Sequence, residues 1–210
     1  MSHVRVKICG VTTPADATIA ADCGADAVGL NFYPKSPRFL TAEQAEAIVR
    51  ELPAFTAAVG VFVDLPDDGI RGLAQRLGLR AVQTYSAEPP TNSFFPAAHI
   101  PAFRVKDTAD LGSVRRFVAT CRPAAVLIDS FVQGEMGGTG HRAPWHLLAG
   151  FAPGVPVILA GGLTPDNVAD AIRLVRPWGV DVASGVESVP GRKDPGRVHA
   201  FVQAARSVTP

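Results

Sequence analysis

The chain has 210 residues, of which 47% are hydrophobic and 19% charged, with a formal net charge of +1. These figures suit one globular domain spanning residues 1–210. They argue against nucleic acid and membrane as partners, because 20 Lys and Arg are spread among 19 Asp and Glu and no apolar run reaches membrane-spanning length.

Along the chain, eight short runs favour β-structure: VRVKI, AVGLNF, AAVGVFV, RAVQTY, HIPAFRV, AAVLID, VPVILA and GVDVAS. Most are almost continuously apolar rather than alternating, which predicts parallel strands covered on both faces. Helical spacing lies between them. Thr41 and Gln44 form a capping box ahead of Ala45, Ile48, Val49 and Leu52. Ile70, Leu73, Ala74 and Leu77 repeat the spacing and stop at Gly78; Leu111, Val114, Val118 and Cys121 follow the same pattern. Thr164 and Pro165 are expected to start a helix carrying Val168, Ile172 and Val175, and Asp194-Pro195 to start one carrying Val198, Phe201, Val202 and Ala205. Helices after strands four and six are weakly signalled, and the Pro-rich stretch from Glu88 to Pro101 reads as a longer crossover.

Eight strand-helix units average about 26 residues each, near the lower limit for a (β/α)₈ barrel, so the predicted fold class is α/β, a single TIM barrel. A doubly wound open sheet would carry G-x-G-x-x-G after its first strand, whereas strand one here ends in Cys9-Gly10-Val11-Thr12.

In such a barrel, reactive groups sit where strands end and βα loops begin. The stretch from Val155 to Asp194 holds two apolar strands, each ending in a glycine turn, and Gly161, Gly162 and Gly185 are expected to offer backbone N–H groups to a phosphate. Cys9, ending strand one, is either a small buried hydrophobe or a thiolate base whose pKa is depressed by Lys7 or Arg38. Asp129, ending strand six, is either a helix cap or an acid placed to protonate a leaving oxygen. Asp64 reads as a helix cap. Arg38 lies between the prolines of FYPKSPRF, in a restrained loop suited to gripping a carboxylate, with a plain surface arginine as the alternative. Met136 to Gly140 is a second glycine-rich stretch, read as a flexible loop, a lid or a third phosphate-facing segment. Lys7 shares strand parity with Cys9 and should point into the barrel; a Schiff-base role stays open for Lys7 and Lys106. The five histidines lack metal-ligand spacing, so no metal is expected. Cys9, Cys23 and Cys121 are odd in number and lack C-x-x-C spacing, so they read as reduced thiols. The opening MSHVRVKICG lacks the features of a secretory signal, which makes the cytoplasm the expected compartment.

Taken together, KICG at 7–10, VGLNFYPKSPRF at 28–39, VGVFVD at 59–64, LIDS at 127–130, GGTG at 137–140, AGGLTPDNV at 160–168 and DVASGVES with PGRKD at 181–194 resemble the phosphoribosylanthranilate isomerase family over nearly the whole chain. The resemblance implies a cofactor-free Amadori rearrangement of a phosphosugar, with Cys9 as general base and Asp129 as general acid. It also implies Arg38 on the anthranilate carboxylate, Gly162, Ser184 and Gly185 on the phosphate, and further substrate contacts at Gly138, Gly161 and Asp181. Where the family usually reads VQLHG after strand four, this chain has Val82-Gln83-Thr84-Tyr85-Ser86, so Tyr85 stands in the histidine's place and is expected to position substrate. A monomer is expected rather than a homodimer. The competing readings are a Schiff-base aldolase and a barrel that binds a phosphorylated metabolite without turnover.

Overall fold

The computed structural model describes residues 3–86, 89–91, 93–94, 96–130 and 145–208. Eight parallel strands close into a barrel in chain order. They are β1 (Arg5–Cys9), β2 (Ala27–Asn31), β3 (Ala57–Val63), β4 (Ala81–Tyr85), β5 (Ala98–Arg104), β6 (Val126–Asp129), β7 (Val157–Ala160) and β8 (Gly179–Val182). The seam is closed by β1 against β8, with Lys7 opposite Asp181. All eight correspond to the apolar runs of the sequence, because strands buried on both faces have little room for polar side chains.

Among the described residues six helices surround them: α1 (Pro14–Asp22), α2 (Ala42–Glu51), α3 (Asp67–Leu77), α4 (Thr108–Cys121), α5 (Val168–Val175) and α6 (Pro195–Arg206). The predicted capping box opens α2, Gly78 closes α3 in the left-handed conformation, and the Asp194 side chain caps α6. No apolar stripe announces α1. It is capped by Thr13 and started by Pro14, but it packs through Ala17 and Ala20, which are too small to mark a face in the sequence. Between Tyr85 and Ala98 there is no helix among the described residues, and after β6 the described chain resumes in a 3₁₀ turn, Trp145–Leu148. The segment Phe131 to Met136, the glycine-rich stretch and Gly138 lie outside the described residues. A short hairpin that the strand count did not anticipate, β9 (Glu187–Val189) with β10 (Arg192–Lys193), follows β8.

Two expected caps are corrected. Thr164 does not cap α5, which begins four residues later behind Asn167; the Asn167 Oδ1 instead accepts the Thr164 N–H at 2.8 Å and its Nδ2 donates to the Gly162 carbonyl at 2.9 Å. One amide side chain thus binds both ends of the turn after β7, leaving the threonine hydroxyl no capping role. Asp64 does not cap α3 either. The residue ahead of α3 is Pro66, with no side-chain cap, while Asp64 sits at φ 53° where the chain reverses after β3.

The core has two layers. Val6, Ile8, Val28, Ile128 and Leu159 face the helices and join one large cluster with α1, α2, α5 and α6. The barrel interior is narrower, filled on the β3 to β7 arc by small and branched residues such as Val59, Ala81, Ala102 and Leu127. Polar groups complete the filling: Lys7 of β1 and Asp181 of β8 on the remaining arc, with Gln83 of β4 reaching Lys7, are all buried. Truncating a fully buried Phe201 or Leu159 in the outer layer costs about 2–5 kcal/mol by the usual cavity scale. Among the described residues no helix is long and apolar enough to cross a membrane.

Candidate active site

A cavity of about 360 Å³ opens at the C-terminal ends of the strands. Its wall includes Cys9, Arg38, Tyr85, Asp129, Gly161, Gly162, Asp181, Ser184 and Gly185, so the acid, the base and the expected substrate contacts within the described chain meet there, while the Schiff-base candidates Lys7 and Lys106 are not part of the lining. The convergence follows from strand parity: alternate residues point inward, and those nearest the strand ends reach the mouth.

Cys9 is the last residue of β1 and pairs with Gly29 of β2. A Cβ at Gly29 would lie 2.7 Å from the Cys9 sulfur and 3.1 Å from the Lys7 Nζ. The glycine therefore makes the space in which thiol and ammonium lie side by side. Lys7 also donates to Asp181 Oδ1 at 2.8 Å and to Gln83 Oε1 at 3.0 Å. Lys7 is thus an interior charge held between two acceptors, and its pKa is raised: burial works against the charged form, and Asp181 together with Cys9 outweighs it. The expected depression of the Cys9 pKa is not found. Burial pushes the thiol up and Asp181 adds to it, which exceeds the opposing pull of Lys7 and Lys193. The resting group is a thiol, and its thiolate is a correspondingly stronger base.

Arg38 lies flat over Gly10. A Cβ on Gly10 would come within 2.2 Å of the Arg38 Cδ, and Gly10 has φ +71°, so both space and backbone require glycine. The loop that delivers Arg38 is fixed by its own side chains: Asn31 Oδ1 accepts the Tyr33 N–H at 2.8 Å, and Ser36 Oγ accepts the Arg38 N–H at 3.1 Å. The guanidinium forks onto Glu187, Nε to Oε1 at 2.7 Å and Nη2 to Oε2 at 2.6 Å. Its hydrogen bonds to Glu187 raise its pKa. Three of its N–H groups lie outside that fork.

On the opposite wall, Gly161 and Gly162 adopt φ +91° and +64°. Gly185 begins its turn against the neighbouring loop so closely that a Cβ would lie 2.0 Å from the Leu163 carbonyl oxygen. This wall is backbone, and backbone N–H groups with the Ser184 hydroxyl are the donors an oxyanion needs. Tyr85 projects from the end of β4, 3.5 Å from the Gln83 Nε2. Burial raises the pKa of its phenol, and the charges of Asp129, Asp181 and Cys9 push in the same direction, so it stays neutral. Asp129 from β6 and Cys9 from β1 line the same cavity as Tyr85.

Gly29, Gln83, Glu187 and Lys193 are parts of this constellation that the sequence reading did not single out as site residues. Glu187 and Lys193 had one signal: both are charged residues flanking the apparent turn VPGR that follows a glycine-rich strand end. Lys106 lies beyond the end of β5 and is not among the residues lining the cavity.

Residues 6–204 match the family of N-(5'-phosphoribosyl)anthranilate (PRA) isomerase. The chain is 49% identical over 207 residues to the N-(5'-phosphoribosyl)anthranilate isomerase of Myxococcus xanthus, covering 98% of this chain and 97% of that one. It is 46% identical over 206 residues to that of Geobacter sulfurreducens, covering 97% and 98%. The phosphoribosyl anthranilate isomerase structure from Thermotoga maritima superposes with a TM-score of 0.87 at 37% identity, covering 98% of this chain and all of that one. A phosphoribosyl anthranilate isomerase in complex with reduced 1-(o-carboxyphenylamino)-1-deoxyribulose 5-phosphate gives a TM-score of 0.84 at 36% identity over the same shares. The eight-stranded barrel, the glycine wall and these full-length similarities together make this chain a member of the phosphoribosylanthranilate isomerase family, the isomerases of tryptophan biosynthesis.

Proposed function

We propose that the chain converts N-(5-phosphoribosyl)anthranilate into 1-(2-carboxyphenylamino)-1-deoxyribulose 5-phosphate with Asp129 as general acid and Cys9 as general base. The observation that carries the assignment is that these two groups, at the ends of strands three apart, line one cavity. Its volume of about 360 Å³ lies in the range of small-molecule sites.

Asp129 donates a proton to the ribose ring oxygen, and the C1–O bond breaks to give the open-chain protonated imine. The Cys9 thiolate then takes the proton from C2. The electron pair of that C–H bond forms the C1=C2 bond of an enolamine, and the imine nitrogen is neutralised. Tautomerisation of the enol to the ketone, with a proton gained at C1, completes the isomerisation. Lys7, 3.0 Å from Gln83 and 2.8 Å from Asp181, supplies the positive charge beside the forming thiolate. Two charges at the ends of the substrate hold the sugar between acid and base: Arg38 meets the anthranilate carboxylate, and the turns at Gly161, Gly162, Ser184 and Gly185 take the phosphate. Gly138 is assigned to the same phosphate end. Asp181, already paired with Lys7, and Tyr85, neutral at any working pH, line the sugar's path and orient it.

All of these groups belong to one chain, so a monomer has a complete site, working as a single domain over residues 1–210 and placed in the cytoplasm with the small phosphorylated metabolites it uses. The direct test follows loss of phosphoribosylanthranilate fluorescence with the purified protein, with borohydride added in a parallel reaction. Turnover without covalent trapping supports the acid-base reading; trapping on Lys7 or Lys106 would move the chain to Schiff-base chemistry.

A further inference from the structure

The hairpin β9–β10 has no part in closing the barrel, yet it carries two charged side chains that are as buried as the core: Glu187 at 5% and Lys193 at 3% exposure. Buried charges persist where each is fully partnered. Glu187 Oε1 accepts from Arg38 Nε at 2.7 Å and from Lys193 Nζ at 2.9 Å, while Oε2 accepts from Arg38 Nη2 at 2.6 Å. Lys193 Nζ donates in addition to the Cys9 carbonyl at 2.6 Å and the Ala183 carbonyl at 3.1 Å. The three N–H groups of the ammonium are thereby matched by three acceptors from three parts of the chain.

The hairpin itself is tied down on several sides. Thr12 Oγ1 donates to the Gly191 carbonyl at 2.5 Å, and Arg197 Nη1 donates to the Glu187 carbonyl at 2.6 Å. A Cβ at Gly191 would lie 3.0 Å from the Pro37 carbonyl oxygen, one residue from Arg38. A pair whose only task was to fasten the hairpin would need no partner beyond itself. Here both carboxylate oxygens are turned to Arg38, and the lysine reaches past its partner to the backbone of Cys9.

We propose that Glu187 and Lys193 are positioning residues for the isomerisation: Glu187 sets the plane in which Arg38 presents its guanidinium to the substrate carboxylate, and Lys193 fixes the backbone that aims the Cys9 sulfur while placing its ammonium on the Cys9 carbonyl. The proposal rests on the roles given above to Cys9 and Arg38. Among the described residues, the titratable groups around Cys9 include Lys7 of its own strand, Arg38 from the loop after β2, Tyr85 of β4, Asp181 of β8 and Lys193 of β10, with Asp129 of β6 across the same cavity. Of these, Asp181 disfavours the thiolate and Lys7 and Lys193 favour it, so loss of Lys193 leaves the burial of the thiol less opposed.

The two halves of the proposal predict different kinetic signatures. E187Q should raise KM about tenfold or more with kcat within about threefold, because a carboxylate grip acts alike in ground and transition states. K193M should lower kcat by about tenfold with KM near wild type, move the rise of kcat with pH to higher pH, and be largely restored in K193R. A readout free of turnover is the pH dependence of iodoacetamide alkylation of Cys9 in a C23S/C121S background, which should shift upward in K193M and stay in place in E187Q. If the alkylation profile of K193M does not move, or if E187Q changes kcat and leaves KM alone, the positioning role is overturned. Should K193M fail to fold, E187Q/K193Q, which replaces the buried pair by two amides, takes its place with the same expected alkylation shift. An active C9A enzyme would instead sink the base assignment, so the two failures are told apart.

Discussion

On the β7 and β8 side of the barrel mouth the cavity wall is backbone: Gly161 and Gly162 turn with positive φ, and Gly185 leaves no room for a Cβ against Leu163. On the β1 and β2 side the wall is backed by charge: behind Cys9, Arg38 and Asp181 lie Lys7 on Asp181, Glu187 on Arg38, and Lys193 on Glu187 and the Cys9 carbonyl. The difference sets how each side tolerates change. A backbone wall fails when atoms are added, since the donors it offers are displaced. A charged wall fails when atoms are removed, because deleting one partner of a buried pair leaves the other uncompensated, at a cost of about 3–5 kcal/mol.

The largest effect should come from the two groups that neither wall can replace. Cys9→Ala and Asp129→Asn should each lower kcat by about 10² or more with the fold intact, and the double variant should lose less than the product of the two, since both serve one proton-transfer sequence. Steady-state kinetics with circular dichroism as a folding control checks this; a single variant at near wild-type turnover would remove its residue from the chemistry. Because burial and Asp181 hold the Cys9 pKa above that of an ordinary thiol, the thiolate fraction rises with pH throughout the neutral range. kcat should therefore still be climbing above pH 8, and a plateau already reached at pH 7 would contradict the base assignment.

The backbone wall gives the second prediction. Gly185→Ala puts a Cβ within 2.0 Å of the Leu163 oxygen, which cannot yield without moving the turn after β7. Gly162→Ala meets no atom within 4 Å and suffers only the left-handed backbone penalty of about 1 kcal/mol. Both should raise KM more than they lower kcat, Gly185→Ala by about tenfold and Gly162→Ala by less, and inorganic phosphate should lose potency as a competitive inhibitor in the same order. Equal KM values in wild type and Gly185→Ala would mean that the phosphate binds elsewhere.

The same contrast explains what the sequence could say. The eight strands, the glycine turns and the base and acid at strand ends are local patterns, each spelled out within a handful of residues. The ion pairs are not local: Lys7 and Asp181 are 174 residues apart, and Arg38 and Glu187 are 149 apart. Their partnership exists only once the barrel closes β8 onto β1. Lys7 was expected to point inward on parity alone, but nothing in its neighbourhood names Asp181 or Gln83. The direction of the Cys9 shift was missed for a related reason: a nearby lysine is visible in KICG, whereas burial and a carboxylate from β8 are not. Helix α1 was unmarked because alanines carry its packing, and the cap of α5 moved because Asn167, not Thr164, ties the turn together.

Tyr85 lies between the two walls and should matter less than either. Its hydroxyl is neutral and within 3.5 Å of Gln83, so it offers substrate one uncharged hydrogen bond and a ring face. Tyr85→Phe should keep kcat/KM within about tenfold, and Tyr85→His should be tolerated. An inactive wild type that gains turnover only as Tyr85→His would turn the chain into a binding protein.

The smallest effect concerns stability and sharpens the contrast from outside the mouth. His99 of β5 faces outward, its ring edge-on to Phe94 and its Nε2 2.9 Å from Thr84 Oγ1. Where the mouth buries charges in pairs, this site buries a titratable group as a neutral one: burial lowers the His99 pKa from 6.5 to about 4, only partly offset by Asp67. Between those two values the unfolded chain binds a proton that the folded chain refuses, so stability is fully present above pH 6.5 and is lost as pH falls toward 4. With the partly exposed ring allowed for, the loss should be about 1–2 kcal/mol. His99→Gln keeps a hydrogen-bonding group for Thr84 and removes the titration, so its melting temperature should fall less than that of wild type between pH 7 and pH 4, even if it starts lower. Measured by thermal melts at half-unit pH steps, parallel curves for the two proteins would show that acid acts through other groups, with the ion pairs at the mouth first among them.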